Sequence, residues 1–158
     1  MASPTCRLSQ ASVNMFDKPF VTFSTGPGRL DLRSAPIIVD PDDYKCVHLA
    51  VENLSRDLEK VTGHPSPVET RASQRLPVDI AIVVGTVEKS GLVRELGAGS
   101  DAANETIARL GGKWESFCTS LQPSPWPFAR SILALVGSDR RGTVFGVYTL
   151  SEQIGVSP

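Results

Sequence analysis

The residues of this chain that could do chemistry are concentrated in one segment near the carboxyl end, Gly137-Ser-Asp-Arg-Arg-Gly-Thr143. This segment lies between a predicted buried strand and a predicted helix, a position at which α/β sheets commonly bind ligands. Its two outer glycines stand five residues apart and a threonine follows, as in part of a phosphate-binding loop. The lysine that such a loop needs before the threonine is missing, so we expect no nucleotide hydrolysis.

The charge of this segment comes from Asp139, Arg140 and Arg141. Asp139 is predicted to cap the following helix, because an aspartate side chain accepts hydrogen bonds from the free backbone N–H groups of the first turn. The two arginines could be solvated surface charges, or they could form a fork that holds a carboxylate. The sequence leaves both interpretations open.

A second candidate site is the pair Trp114 and Glu115, which follows two glycines. An aromatic ring beside a carboxylate is an arrangement that can bind a sugar. A tryptophan at the edge of a strand more commonly packs on the core, because most tryptophans are largely buried. Both alternatives remain open here.

Other common catalytic and metal-binding patterns are not formed. His48 and His64 are not placed as a pair of metal ligands. Gly85 is not followed by the glycines of a dinucleotide-binding turn, and no serine lies in a GxSxG elbow. The cysteines are far apart and form no CxxC pair, which argues against a zinc knuckle and against a disulfide framework. They are Cys6, Cys46 and Cys118. We therefore expect neither a metal ion nor a cofactor.

The composition is that of an ordinary globular domain, with 158 residues of which 41% are apolar and 21% charged. A length of about 100–200 residues is usual for one domain, so one domain is expected. The 16 basic and 17 acidic side chains argue against a nucleic-acid partner. The longest apolar run, residues 80–84, is far shorter than the ~20 residues of a membrane span. No secretory signal is visible in the first twenty residues.

The clearest element is a helix that begins at Asp40 and ends at Gly63. Apolar residues follow one another there at steps of three or four, which predicts one buried helix face. Asp40 is placed as the N-cap and Pro41 as the first helical residue, while Gly63 stops the helix. The apolar stripe consists of Tyr44, Val47, Val51, Leu54, Leu58 and Val61.

The remaining pattern predicts strands and shorter helices in a mixed order. A hairpin is expected at residues 20–24 and 29–33, with further strands at 36–39, 78–84, 114–121 and 131–136. Weak helices are expected at 89–96 and 102–110, and a final helix ends near Ile154. The economical fold is a two-layer α/β (α+β) domain, with a mixed sheet of about five strands covered by two main helices. Residues 1–15 are predicted to be a disordered lead-in, and residues 16–158 the domain.

Three stretches together resemble the amino-terminal domain of glycoside hydrolase family 115, the xylan α-1,2-glucuronidases. They are Ala81-Ile-Val-Val-Gly-Thr86, Gly112-Lys-Trp-Glu-Ser-Phe117 and the long stretch from Gly137 to Pro158. The resemblance runs from about Phe20 to the last residue. In that family a similar domain precedes a (β/α)8 barrel, which carries the chemistry. The resemblance therefore implies a truncated product, a fragment or a single domain of such an enzyme.

The reaction that this resemblance implies is release of (4-O-methyl)glucuronic acid from xylan with inversion. It needs one carboxylic acid and one carboxylate that activates water. No such pair is recognisable in this chain, so no catalytic residue is assigned and the question whether the chain is itself an enzyme stays open. The expected role is a non-catalytic accessory domain that supports the barrel. The residues expected to contact substrate are Asp139, Arg140, Arg141, Trp114 and Glu115.

The resemblance also implies partners and a location. The expected partner is the catalytic barrel of the same or a companion chain, together with a glucuronoxylan oligosaccharide. The family is extracellular, and Asn53-Leu-Ser55 and Asn104-Glu-Thr106 match the glycosylation sequon. The alternative from another functional class is a free-standing carbohydrate-binding module that uses Trp114, Trp126 and the arginine loop.

Overall fold

The structure is a computed structural model that describes residues 7–10, 21–23, 26–27, 29–70 and 77–156. Within these ranges the strands are β1 (Arg7–Gln10), β2 (Ile37–Val39), β3 (Val68–Glu69), β4 (Val78–Thr86), β5 (Ser116–Pro123) and β6 (Ala129–Gly137). The helices are α1 (Lys45–Thr62), α2 (Gly91–Gly99), α3 (Asp101–Leu110) and α4 (Arg140–Gln153). The predicted lead-in at 1–15 lies outside the described residues except for β1.

The six strands form one mixed sheet in the order β1-β5-β6-β4-β2-β3. The strands β3, β2, β4 and β6 run parallel to one another, whereas β5 is antiparallel to both β6 and β1. The two longest apolar strands, β4 and β6, are side by side in the middle. This placement confirms the prediction that the apolar run at 78–84 is a central strand, since a strand buried on both faces reads as continuously apolar.

Both faces of the sheet are covered by helices. The long helices α1 and α4 pack on one face, against Ile82 and Val84 of β4. The shorter α2 and α3 pack on the other face, against Ala81 and Val83 of the same strand. Alternate residues of a strand point to opposite faces, so one strand serves both cores. The α/β class and the mixed sheet are confirmed, and the two short helices add a layer to the two that were predicted.

Helix α1 begins at Lys45, five residues after the predicted N-cap at Asp40. Its N-cap is Tyr44, whose side chain makes no capping hydrogen bond. The carboxylate of Asp40 instead accepts hydrogen bonds from the backbone of Gly91 and Leu92, at 2.7 and 3.2 Å, and thereby caps α2. The predicted helix start was wrong because the best local capping residue is used by a different helix.

The end of α1 agrees with the prediction. Gly63 adopts the left-handed conformation, with φ of 73°, and donates its backbone N–H to the carbonyl of Glu59 at 2.8 Å. Four members of the predicted apolar stripe are buried, whereas Val61 at the end is 40% exposed. The buried four are Val47, Val51, Leu54 and Leu58.

The predicted hairpin is not formed in the residues that the structure describes. Residues 21–23 and 29–32 are irregular, and residues 33–34 form a turn. Val21 donates its backbone N–H to the side chain of Gln153, and Leu32 packs on the core beneath α1 and α4. Of the apolar residues in the described part of this segment, Val21 and Leu32 pack on the core, whereas Phe23 and Leu30 are exposed.

Candidate functional site

The two candidate segments meet at one edge of the sheet. The parallel strands β2, β4 and β6 end there, and β5 begins there because it runs antiparallel to β6. In this register Phe117 of β5 lies opposite Gly137 of β6. The turn before β5 therefore adjoins the loop after β6, and Trp114 and Glu115 are brought beside Asp139 and Arg141. This proximity is set by the sheet register and was not predicted from the sequence.

Asp139 connects the two segments through both oxygens of its carboxylate. Oδ1 accepts a hydrogen bond from the backbone of Gly142 at 2.8 Å, which confirms the predicted cap of α4. Oδ2 accepts a hydrogen bond from the backbone of Glu115, also at 2.8 Å. Each oxygen thus binds a backbone donor of the protein itself.

The two arginines have different surroundings. Arg141 forms an ion pair with Glu115, with Nη1 2.8 Å from Oε1, and the side chains are 62% and 25% exposed respectively. Arg140 is exposed and has no hydrogen-bonded or ion-paired partner among the residues that the structure describes. The Arg140 guanidinium is therefore available to a ligand, whereas Nη1 of Arg141 is already paired with Glu115.

Trp114 projects from the turn that precedes β5 and is 81% exposed. The more common alternative, packing on the core, is wrong for this residue. Two left-handed residues shape the turn, Gly112 with φ of 75° and Glu115 with φ of 49°. A non-glycine residue in this conformation costs free energy, and such residues cluster at sites where geometry matters. The bonds of Glu115 to Asp139 and Arg141 hold the turn in place.

A close backbone contact between β5 and the loop after β6 stabilises the same turn. The backbone N–H of Ser138 donates to the carbonyl of Ser116 at 2.8 Å, and the backbone of Ser116 donates to Oγ of Ser138 at 3.1 Å. A Cβ atom on Gly142 would lie 2.3 Å from the carbonyl oxygen of Ser116. Only glycine allows helix α4 to begin this close to β5. This role of Gly142 was not predicted, and the only signal for it in the sequence is its place in the segment.

The crevice between the ends of β2 and β4 is filled by the chain's own side chains. The chain leaves β2 toward one side of the sheet and leaves β4 toward the other, which makes this the switch point where such folds usually bind ligands. Asp43 is buried, and its carboxylate accepts hydrogen bonds from the backbone and the hydroxyl of Thr86 at 2.9 and 2.8 Å. The hydroxyl of Thr86 also lies 2.9 Å from that of Thr143.

Tyr44 stands at the mouth of this crevice. Its hydroxyl donates to Oε1 of Glu88 at 3.1 Å, and the ammonium of Lys89 lies 5.8 Å from the centre of its ring. The hydrogen bond to the Glu88 carboxylate raises the pKa of Tyr44 above its usual value, whereas the nearby positive charge of Arg140 acts in the opposite direction. The arrangement favours a neutral phenol.

The structure places the remaining sequence candidates apart from this edge or in other roles. His48 is half-buried on α1 and His64 is exposed after it. In the described part of the chain, no group of His, Cys, Asp and Glu side chains could hold a metal ion. No helix in that part is long and apolar enough to cross a membrane. Trp126 donates its indole N–H to Glu95 at 2.9 Å and stacks on Phe128.

The cysteines differ from the expectation of three isolated thiols. Cys118 on β5 is disulfide-bonded, whereas Cys46 on α1 is a free and exposed thiol. The spacing argument was wrong for Cys118 because a disulfide needs proximity in the fold and not a local CxxC pattern.

The fold and the edge just described define an α/β domain, with helices on both faces of a mixed sheet. The chain is similar to the solved structure of a family 115 4-O-methyl-α-glucuronidase with specificity for decorated arabinogalactans. The two are 27% identical with a TM-score of 0.56, and the match covers 80% of this chain and 14% of that one. No protein-family model matches the chain, and no curated protein matches it. The similarity shows a domain related to glycoside hydrolases.

Proposed function

We propose that this chain is the amino-terminal domain of a glycoside hydrolase of the α-glucuronidase type, and that it supports the catalytic barrel without performing hydrolysis. The observation that carries the proposal is the match to a family 115 glucuronidase at 27% identity over 80% of this chain. The chain spans only 14% of the length of that enzyme. The proposal assigns the activity of the whole enzyme to parts of that enzyme outside the matched segment.

Four carboxylates at the edge of the sheet where β2, β4 and β6 end support a non-catalytic role. A glycosidase needs two carboxyl groups that face each other across an open space. Asp40 and Asp139 bind backbone N–H groups through their carboxylates. Asp43 is occupied by Thr86, and Glu115 by Arg141. These carboxylates stabilise helix ends and turns, and their bonds would have to break before they could bind substrate.

The surface proposed to contact the barrel is the edge around Trp114. Phe145, which is 37% exposed, lies one turn along α4 from Arg141, and the ion pair of Arg141 with Glu115 brings this helix face next to Trp114. Exposed aromatic side chains beside an arginine are typical of interface centres. The partner would be the (β/α)8 barrel, in the same or a companion chain.

The proposal is tested by exchange of domains. The segment of the solved glucuronidase that matches this chain is replaced by the chain, and release of 4-O-methylglucuronic acid is measured. The chimera is expected to be active, and the double variant Trp114→Ala/Phe145→Ala is expected to lose about tenfold in activity because two interface anchors are removed. The matched control is Leu121→Ala, which truncates an apolar residue of β5 that is 40% exposed; it is expected to leave activity unchanged.

Two results would contradict the proposal. One is an inactive chimera that is nevertheless folded by circular dichroism. The other is release of glucuronic acid by the chain alone, which would require a carboxylate pair within these residues.

The substrate of the whole enzyme is proposed as a glycan that carries (4-O-methyl)glucuronic acid. The solved relative is described as specific for decorated arabinogalactans, so the narrower proposal of xylan rests on the sequence resemblance alone. Parallel assays of glucuronic acid release from glucuronoxylan and from arabinogalactan distinguish these two substrates. An extracellular location is supported by the disulfide at Cys118, since disulfides persist in oxidising compartments.

A carbohydrate-binding module is the second candidate, and the exposure of Trp114 favours it. An indole ring at 81% exposure offers a flat apolar face on which a sugar ring can stack, and Arg140 would bind the uronate carboxylate. Calorimetric titration with an aldouronic acid tests this candidate. Binding that is lost in Trp114→Ala and weakened in Arg140→Ala would favour it, while no heat with the chain alone would favour the accessory domain.

A further inference from the structure

A groove between α1 and α4 lies apart from the edge that carries Trp114. Its volume is about 230 Å³, below the ~300 Å³ of pockets that hold drug-sized ligands. Such a space suits one sugar ring. The residues that line it come mainly from the carboxyl halves of the two helices. They include Asn53, Arg56, Asp57, Lys60, Tyr148 and Glu152.

The aromatic ring of the groove is held by a chain of hydrogen bonds. Asn53 donates its amide N–H to the hydroxyl of Tyr148 at 3.2 Å. The carbonyl oxygen of the same amide accepts a hydrogen bond from Nη2 of Arg56 at 2.6 Å. Tyr148 is 42% exposed, so part of its ring remains open to a ligand. The side chain is thus fixed in orientation before anything binds, which lowers the entropic cost of binding.

The charged residues of the groove are balanced but not paired with one another. Two cations, Arg56 and Lys60, and two carboxylates, Asp57 and Glu152, line the same space. None of the ion pairs among the described residues joins any of these four. Lys60, Asp57 and Glu152 therefore present donors and acceptors that no side chain in the described ranges uses.

We propose that this groove binds a neutral pyranose ring, such as a sugar of the uncharged backbone of a glycan. The hydroxyls of a pyranose both donate and accept hydrogen bonds, which matches a lining that offers ammonium and guanidinium donors together with carboxylate acceptors. The apolar face of such a ring stacks on the ring of Tyr148. An anionic sugar fits less well, because the two carboxylates cancel the attraction of the two cations.

This inference rests on the proposed function for its ligand class and deepens it. The domain would hold the backbone of a glycan through the groove, while the uronic acid side group is processed by the barrel. The groove and the Trp114 edge are distinct surfaces, so a variant at one leaves the other intact.

The test is a nuclear magnetic resonance titration of the full chain with xylotetraose, a neutral oligosaccharide, and in parallel with D-glucuronate. Protein from a bacterial host is used, because Asn53 lies in a glycosylation sequon and a glycan there would fill the groove. Xylotetraose is expected to give saturable shifts of the amides at 53–60 and 148–156. Glucuronate at the same concentrations is expected to give none.

Variants of the lining residues show whether xylotetraose binds in the groove. Tyr148→Ala is expected to weaken xylotetraose binding by at least about tenfold, whereas Tyr148→Phe keeps the stacking ring and is expected to stay within about threefold of the parent chain. The matched control is Leu49→Ala, which truncates an apolar side chain of α1 that is 50% exposed and does not line the groove. This variant is expected to bind as the parent does. Amide spectra verify that each variant is folded.

The inference is overturned if xylotetraose gives no saturable shifts, if the shifts surround Trp114, if glucuronate binds as well as the neutral sugar, or if Tyr148→Ala binds like the parent. Failure of the proposed function has a different readout, the activity of the chimera. A groove that binds xylotetraose in a chain whose chimera is inactive would identify a carbohydrate-binding module in place of an accessory domain.

Discussion

At the scale of single residues, the carboxylate of Asp139 does more than cap a helix. It bonds the first turn of α4 and the left-handed residue Glu115 at the same time. The sequence predicted the first bond, because helix caps are local, but not the second, whose partner lies 24 residues away in the chain. That second bond holds the residue next to the exposed Trp114.

Replacement of Asp139 by alanine is expected to destabilise the chain by about 1–3 kcal/mol, since two buried or half-buried backbone donors lose their acceptor. Asp139→Asn keeps one acceptor oxygen and is expected to lose about 1 kcal/mol. Urea unfolding measures both. Asp42→Ala is the control, because Asp42 is an exposed aspartate and should change stability by less than about 0.5 kcal/mol. An equal loss of stability in all three variants would contradict the bridging role of Asp139.

Tyr44 gives a prediction about pH. Because its hydroxyl donates to Glu88, the folded state holds the phenol proton more tightly than the unfolded state does, and the pKa of Tyr44 is raised. Its contribution to stability is therefore complete below the unfolded pKa, near 10, and is lost as the pH rises through the folded pKa. Glu88→Gln is expected to lower the pKa of Tyr44, measured by phenolate absorbance.

Glu95→Gln is the control for this titration, because Glu95 binds the indole of Trp126 and not a tyrosine. With only two tyrosines in the chain, the absorbance change can be assigned by repeating it in Tyr148→Phe. An unchanged titration in Glu88→Gln would show that the hydrogen bond does not form in solution.

At the scale of elements, the contact between α4 and β5 decides where the candidate site lies. Helix α4 begins against the backbone of Ser116, and Gly142 leaves the room for it. Further along the helix, a Cβ on Gly146 would lie 2.7 Å from Leu135 and 2.9 Å from Phe117. Two glycines one turn apart thus set the distance between this helix and the sheet.

Gly142→Ala is expected to destabilise the chain by about 1–3 kcal/mol, because the added methyl group meets a backbone carbonyl that cannot move aside easily. Gly97→Ala in α2 is the matched helical control. Its methyl group would meet the flexible end of Ile107 at 3.2 Å, and alanine favours the helix by up to about 1 kcal/mol. Thermal or urea unfolding measures the change in stability of both variants. A Gly142→Ala variant as stable as Gly97→Ala would mean that α4 does not approach β5 this closely.

At the scale of the whole molecule, the sheet brings together residues that are distant in sequence, and one of its strands carries a disulfide-bonded cysteine. Cys118 lies on β5, the strand that pairs with β1 and β6. It is disulfide-bonded, while the thiol of Cys46 is free. The prediction from spacing could not reveal this, since disulfide geometry depends on distance in the folded chain.

Alkylation of the native, unreduced protein is therefore expected to modify Cys46 and to leave Cys118 unmodified. Reduction under denaturing conditions should make Cys118 reactive as well, because a thiol and not a disulfide reacts with the reagent. Peptide mass spectrometry identifies the modified residues. Modification of Cys118 without reduction would contradict the disulfide.

The sequence by itself determined the α/β class, the central strands β4 and β6, the body of α1 with its end at Gly63, and the cap of α4 at Asp139. These features depend on periodicity or on contacts within a few residues, which a linear pattern records. Tertiary structure decided the start of α1, the exposure of Trp114 and the groove between α1 and α4. The reason is physical: Asp40 bonds a helix 51 residues away, and Asn53 bonds Tyr148 across 95 residues. The sheet order and register decide which of several possible partners a polar side chain contacts. No local sequence pattern specifies that order or that register.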